Sequence, residues 1–293
     1  MIEVLNLGAG VQSSTVLLMS LEGELPPIDH AIFADTGWEP AAVYLQMDWL
    51  EEKATAAGVK VWRVSAGNIR DDILATKRAG GRTRLNKEQS KAAKLRGAPD
   101  DKGRWASMPY FTMSASGQKG VVQRQCTNIY KIKPIERFIR REVLGLKARQ
   151  RAPKEVVMRR WYGISFDEMQ RMRISQEAWA ENWYPLVERR MTRGSCHEWL
   201  RSHGYPDAPR SACIGCPYRR DSQWREIKRF MPIQWSQAVE IDWVIRDMGG
   251  DGVAFYLHKS CKPLNEANLW RDQDENQLPL FDMVDECSGM CGV

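Results

Sequence analysis

The sequence predicts an α/β protein: a parallel sheet with helices on both faces, followed by a C-terminal helical and cysteine-bearing extension. Three observations carry this expectation. Short apolar runs alternate with longer helix-patterned segments through the first third of the chain. A glycine-containing turn, Gly8–Thr15, joins the first run directly to a helix, and a polar turn, Asp35–Glu39, closes the second run. Ile2–Leu7 reads as a strand, Ser13–Leu25 as a helix, His30–Ala34 as a strand, Glu39–Ala57 as a helix and Val59–Val64 as a third strand. Repeated strand–helix–strand units at this spacing favour a parallel sheet. Ligands of such sheets bind at the carboxyl ends of the strands, where both turns lie.

Ala79–Met108 interrupts the pattern. It holds Gly80, Gly81, Gly97, Pro99 and Gly103 among many lysines and arginines and has no sustained apolar period, so it reads as a basic mobile loop. Order resumes with a helix near Lys131–Leu144, a strand at Glu155–Ile164, and helices near Cys196–Ser202 and Trp235–Met248. The expected division is an α/β domain over residues 1–230 and a helical, cysteine-rich extension over 231–293.

A hydrophobic fraction of 43% and a charged fraction of 27% over 293 residues are ordinary for a soluble globular protein. No apolar run approaches the ~20 residues of a membrane helix. Met1-Ile2-Glu3-Val4 lacks the build of a signal peptide, so a cytoplasmic, membrane-free protein is expected. The net charge of +6 conceals an asymmetry: residues 77–160 carry 23 Lys/Arg against 6 Asp/Glu, and the rest carries 20 against 31. So basic a segment suits a phosphate-rich partner, either a nucleotide or DNA or RNA bound through residues 77–160; a solvated charged insertion is the alternative.

In Gly8-Ala9-Gly10-Val11-Gln12-Ser13-Ser14-Thr15, small residues let the backbone approach an anion. The helix N-terminus supplies positive potential, and Ser13 and Ser14 add hydroxyls. The glycine spacing fits neither a dinucleotide fingerprint nor a Walker loop. The turn resembles the PP-loop, Ser-Gly-Gly-x-Asp-Ser, of ATP pyrophosphatases and phosphoadenylylsulfate (PAPS) reductases. Gly8, Ala9, Gly10, Gln12 and Ser13 fall on that pattern, with Gly8 in place of the leading serine and Gln12 in place of the aspartate. Asp35-Thr36-Gly37-Trp38 is similar to the Asp/Glu-Thr-Gly-aromatic segment of those enzymes, and Tyr162-Gly163-Ile164-Ser165 with Glu168 and Arg171 resembles their Gly-Ile-Arg stretch. The resemblance spans about residues 1–230. It implies an adenine-nucleotide alpha-hydrolase-like fold that binds ATP or an adenylyl nucleotide, with Mg2+ on the phosphates. The nucleotide would rest on Gly8, Ala9, Gly10, Gln12, Ser13, Ser14, Asp35, Thr36, Gly37, Lys133 and Gly163, with Asp35 and Lys131 in catalytic roles.

Seven cysteines in a chain of this length point to metal or redox chemistry rather than a disulfide framework. Cys213 and Cys216 form a CxxC pair suited to zinc or an iron–sulfur centre. Cys126 precedes Cys213 by 87 positions, the separation of the corresponding cysteines in adenylylsulfate reductases, which hold a [4Fe–4S] cluster. The resemblance implies a cluster on Cys126, Cys213 and Cys216, with Cys196 as the candidate fourth ligand because Gln125 stands where those enzymes carry another cysteine. Zinc and inert buried thiols are the alternatives. Glu286-Cys287 partly matches the tail of the same enzymes, whose cysteine attacks sulfur, so Cys287 is the candidate nucleophile. Together these features predict a sulfur-transferring or sulfur-activating enzyme served by a sulfur or electron donor protein. A sulfonucleotide reductase and a non-catalytic nucleotide- or nucleic-acid-binding protein are the rivals.

Overall fold

The structure, a computed structural model, describes residues 1–78, 108–250 and 252–270. The chain divides into two compact units. It leaves the first after Ala66, returns at Thr127, and leaves again after Cys213, rather than passing a single boundary near residue 230.

The first unit is a five-stranded sheet of β1 (Ile2–Leu7), β2 (His30–Asp35), β3 (Lys60–Ser65), β6 (Met158–Tyr162) and β7 (Ala180–Trp183), in the order β3-β2-β1-β6-β7. Every pairing is parallel. Alternation along the strands divides the core. Leu5, Leu7, Ala31 and Phe33 join one apolar cluster with α1 (Val11–Leu21), α2 (Ala41–Ala56) and a later helix, Arg193–Ser202. Val4, Ile32 and Ala34 join a second cluster with Ile135 and Ile139. Those two residues belong to a helical segment in which α-helical Lys133–Phe138 lies between π-type turns at Asn128–Ile132 and Ile139–Val143. Opposite faces of β1 and β2 are thus covered by different helices, as the apolar runs predict. α1 begins two residues before the predicted Ser13 and stops at Leu21, and Gly23 follows with φ of 80°. Val11 to Ser20 are all buried, which explains why the helix shows no clear polar face in sequence.

The second unit holds a three-stranded antiparallel sheet, β5-β4-β8, made of β4 (Phe111–Met113), β5 (Lys119–Val121) and β8 (Ala254–Tyr256). Helices Ile69–Arg78, Asp221–Phe230 and Pro232–Val244 accompany it. The buried Asp242 accepts the backbone N–H of Leu257 at 2.7 Å and that of Leu264 at 3.0 Å, which ties the C-terminal segment to its helix. The basic loop expected over 79–108 lies outside the described residues except for Met108, and so do Cys287 and Cys291. No helix among the described residues is long and apolar enough to cross a membrane.

β1 and β6 are neighbours, and the chain leaves their carboxyl ends by two turns that touch. A Cβ placed on Gly163, just after β6, would stand 2.6 Å from Ser13 N and 2.8 Å from Ser13 Cα. Only glycine permits this approach, because the obstructing atoms are backbone. Gly163, expected at the nucleotide, is therefore a packing glycine that seats the first turn of α1. Gly163→Ala should lower stability by roughly 1–3 kcal/mol through overpacking. Thermal unfolding followed by circular dichroism should show a melting point several degrees lower; an unchanged one would remove this role.

Candidate functional site

β1 ends at Leu7 and α1 begins at Val11, so Gly8, Ala9 and Gly10 make the whole turn. Ala9 adopts φ of 55°, the left-handed region, at a cost of roughly 1–2 kcal/mol for a residue with a Cβ. Strain of this kind collects at binding sites. Gly10 returns to extended backbone, and no side chain caps α1, so its first N–H groups keep their outward potential. Ser13 is used inside the turn: its Oγ accepts the Gly8 N–H at 3.1 Å and donates to the Gly10 carbonyl at 3.3 Å. Ser14 Oγ, by contrast, is buried with no hydrogen-bond partner.

Ser14 has company at this end of the sheet. Ser165 Oγ after β6, Ser211 Oγ and Glu39 Oε2 after β2 are likewise buried without hydrogen-bond partners. Buried polar atoms are normally satisfied, and each exception calls for an explanation. Beside Gly10 a cleft is lined by Val11, Gln12, Arg193, Pro209, Arg210 and Ser211. Ser211 Cβ lies 3.4 Å from the place a Cβ on Gly10 would occupy, so the two chain segments face each other closely.

No family model matches the chain, and no curated protein does. Among solved structures the chain is similar to phosphoadenylyl-sulfate (PAPS) reductase from Candida auris in a phosphate complex, with 13% identity and a TM-score of 0.36. The match covers 71% of this chain and 74% of that one. The geometry described above stands without it.

Gln12 donates from Nε2 to Glu168 Oε2 at 3.4 Å, and the other oxygen of Glu168 accepts from Arg171 at 2.8 Å. An aspartate at position 12 would set two carboxylates against each other, so the amide matches its acidic neighbour. At the end of β2, Asp35 Oδ1 accepts the Gly37 N–H at 2.7 Å and the Tyr44 hydroxyl at 3.0 Å. Gly37 has φ of 70°, which the turn requires. Asp35, expected in catalysis, shapes the turn in this structure. Burial pushes the Tyr44 hydroxyl well above its ordinary range, with smaller contributions from the Asp35 and Glu39 carboxylates.

The carboxylate that enters the interior is Glu39. Thr36 Oγ1 donates to Glu39 Oε1 at 3.0 Å and lies 3.3 Å from Cys213 Sγ, while Cys213 Sγ lies 3.5 Å from the same oxygen. Lys131 Nζ stands 3.7 Å away, and both side chains of the ion pair are at least 95% buried. Lys131, expected to neutralise phosphate, has a fixed counter-charge. Lys133 is exposed.

The expected metal centre is not assembled. Among the described residues no group of three or more His, Cys, Asp or Glu is placed to hold a metal ion. Cys126 and Cys216 belong to the second unit, whereas Cys213 and Cys196 belong to the first. Cys196 is buried in the apolar cluster of α1 and α2 and is bonded to Thr15, and burial pushes its thiol up to about 12. Such a thiol is a core residue rather than a ready thiolate ligand.

Glu39, Arg193, Arg210 and Ser211 were not singled out by sequence. Glu39 ends the Asp35–Glu39 turn, and Arg210-Ser211 stands just before the CxxC pair, but the burial of the Glu39 and Ser211 side chains is visible only in the fold. Two outcomes are expected. Lys131→Met alone should cost about 3–5 kcal/mol by stranding a buried carboxylate, and the Glu39→Gln/Lys131→Met pair should recover most of that in urea unfolding. At pH 8, iodoacetamide should leave Cys196 unmodified in the native protein and reach it on unfolding, as mass spectrometry of the digest can show.

Proposed function

We propose that the chain is a PP-loop enzyme that binds ATP or another adenylyl nucleotide on Gly8–Thr15 and uses it in sulfur activation or transfer. The observation that carries the reading is the set of unsatisfied buried polar atoms around an uncapped helix N-terminus. Ser14, Ser165, Ser211 and Glu39 each hold a buried atom without a hydrogen-bond partner at this end of the sheet. In this reading the turn N–H groups and Ser14 receive the phosphates, and the Ala9 conformation presents them. Lys131 and Glu39 offset each other's charge next to Cys213, which places a thiol, a carboxylate and an ammonium together at the carboxyl end of β2.

The thiols are chemically suited to an iron–sulfur or zinc centre, but among the described residues no group of three or more ligands is placed to hold one. No step of the proposed chemistry therefore runs through a cluster. The acceptor is proposed to be carried by a nucleic acid or a partner, in keeping with the 23 basic residues over 77–160. A sulfonucleotide reductase is the alternative, and the separating observation is whether RNA or DNA binds with a steep salt dependence in filter binding.

Gly10 tests the nucleotide site. Its φ of −96° and ψ of 176° are open to any residue, and a Cβ there would meet Ser211 Cβ at an ordinary 3.4 Å, so Gly10→Ala should fold normally. The added methyl would stand in the anion's approach to the turn. ATP affinity by calorimetry should fall at least about 100-fold, roughly 2.7 kcal/mol; a folded variant with unchanged affinity would remove the site.

A further inference from the structure

The second unit carries a basic and aromatic surface that the nucleotide loop does not use. We propose that the outward face of the helix Asp221–Phe230, together with Trp270, binds single-stranded nucleic acid, its cations on the phosphates and its rings stacked on bases. This rests on the acceptor being carried by a nucleic acid, as proposed above, and adds a contact outside residues 77–160.

The first support is charge without a counter-charge. Asp221, Trp224 and Ile227 are the buried side of this helix. Arg225, partly exposed, and Lys228 and Arg229, fully exposed, stand on the other side at spacings of three and four. Among the described residues none of these three cations is in an ion pair. Arg63, Arg70 and Arg246, by contrast, each reach a carboxylate at 2.5 Å. Glu226 is the one acid on the exposed side, since Asp221 is held inside against His258 at 2.7 Å. Cations gathered on one face without acidic partners suit a row of phosphates.

The second support is the rings beside those cations. Trp270 is 75% exposed and Phe230 66% exposed. The Arg225 guanidinium lies 4.7 Å from the centroid of Trp270 and that of Arg229 5.1 Å from the centroid of Phe230. Arg225 also donates to the carbonyl of Leu269, which steadies the chain just before Trp270. Arg225 and Arg229 are four residues apart, about 6 Å along the helix, so both ring–guanidinium pairs belong to one patch. Unpaired bases offer open faces to such rings, and the flanking arginines add cation–π attraction; bases inside a duplex do not offer those faces. Trp243 marks the contrast. It is half exposed beneath Arg246, but that arginine is tied to Asp242 at 2.5 Å.

Fluorescence anisotropy of a labelled oligothymidylate and of a labelled duplex of equal length, titrated with the full chain across salt concentrations, tests this. The single strand should bind more tightly than the duplex. Trp270→Ala and Phe230→Ala should each weaken single-strand binding about tenfold, the scale of one lost base stack, with little effect on the duplex. The triple variant Arg225→Gln/Lys228→Gln/Arg229→Gln should flatten the log–log salt dependence of single-strand binding by about two, as for three lost phosphate contacts. Trp243→Ala should change neither. Every substituted side chain is at least partly exposed, so circular dichroism melting should show each variant folded. Binding left unchanged by the ring and charge variants, or weakened equally on single strand and duplex, would overturn the inference and leave the nucleic-acid reading standing. A wild-type protein that binds no oligonucleotide at low salt would remove both. Binding to phosphatidylserine vesicles in its place, lost in the same variants, would give this face to an anionic lipid surface instead.

Discussion

The site depends on one close approach, that of Gly163 to the first turn of α1. A parallel sheet brings the carboxyl ends of β1 and β6 together, but it does not by itself bring the following turns into contact. Here the absence of a side chain at position 163 lets the backbone of one turn rest on the backbone of the other. With α1 fixed in this way, Gln12 reaches Glu168 and Ser13 closes the turn on Gly8 and Gly10. The strained Ala9 can persist only because this surrounding structure determines its conformation.

The other organising feature is the handling of charge at the end of β2. A lysine and a glutamate buried together are weak evidence for stability, since hydrophobic replacements of similar size often do as well. Their retention beside a thiol and a threonine is better explained by what they hold in place. Glu39 accepts from Thr36, lies against Cys213 and faces Lys131, and still has one oxygen unmatched. Lys131 therefore contributes to a preset local field rather than waiting for a phosphate.

Much of the first unit was legible in sequence. The apolar alternation of β1 and β2 is strong because both strands are central and covered on both faces. β7 was not legible: Ala180-Glu181-Asn182-Trp183 is short, polar and on the sheet edge. Helices Ile69–Arg78 and Asp221–Phe230 are brief and highly charged, and they bury only a narrow stripe, Ile69, Ile73 and Thr76 in one and Trp224 and Ile227 with Asp221 in the other. At the site, spacing identified the loop but not the environment of individual groups. The CxxC pattern placed two sulfurs near each other along the chain and could not show that Cys213 would settle beside Thr36 and Glu39. Cys196 looked like a helix-start ligand, and its contact with Thr15 in the core depends on tertiary packing alone.

The account stands on phosphate being held by the turn between β1 and α1. Amide hydrogen exchange with and without saturating ATP tests that most directly, because the groups proposed to bind are themselves backbone N–H groups. Slowed exchange is expected at residues 9–14, with little change in β3 or β7. Protection that appears elsewhere while residues 9–14 exchange as in the free protein would contradict it.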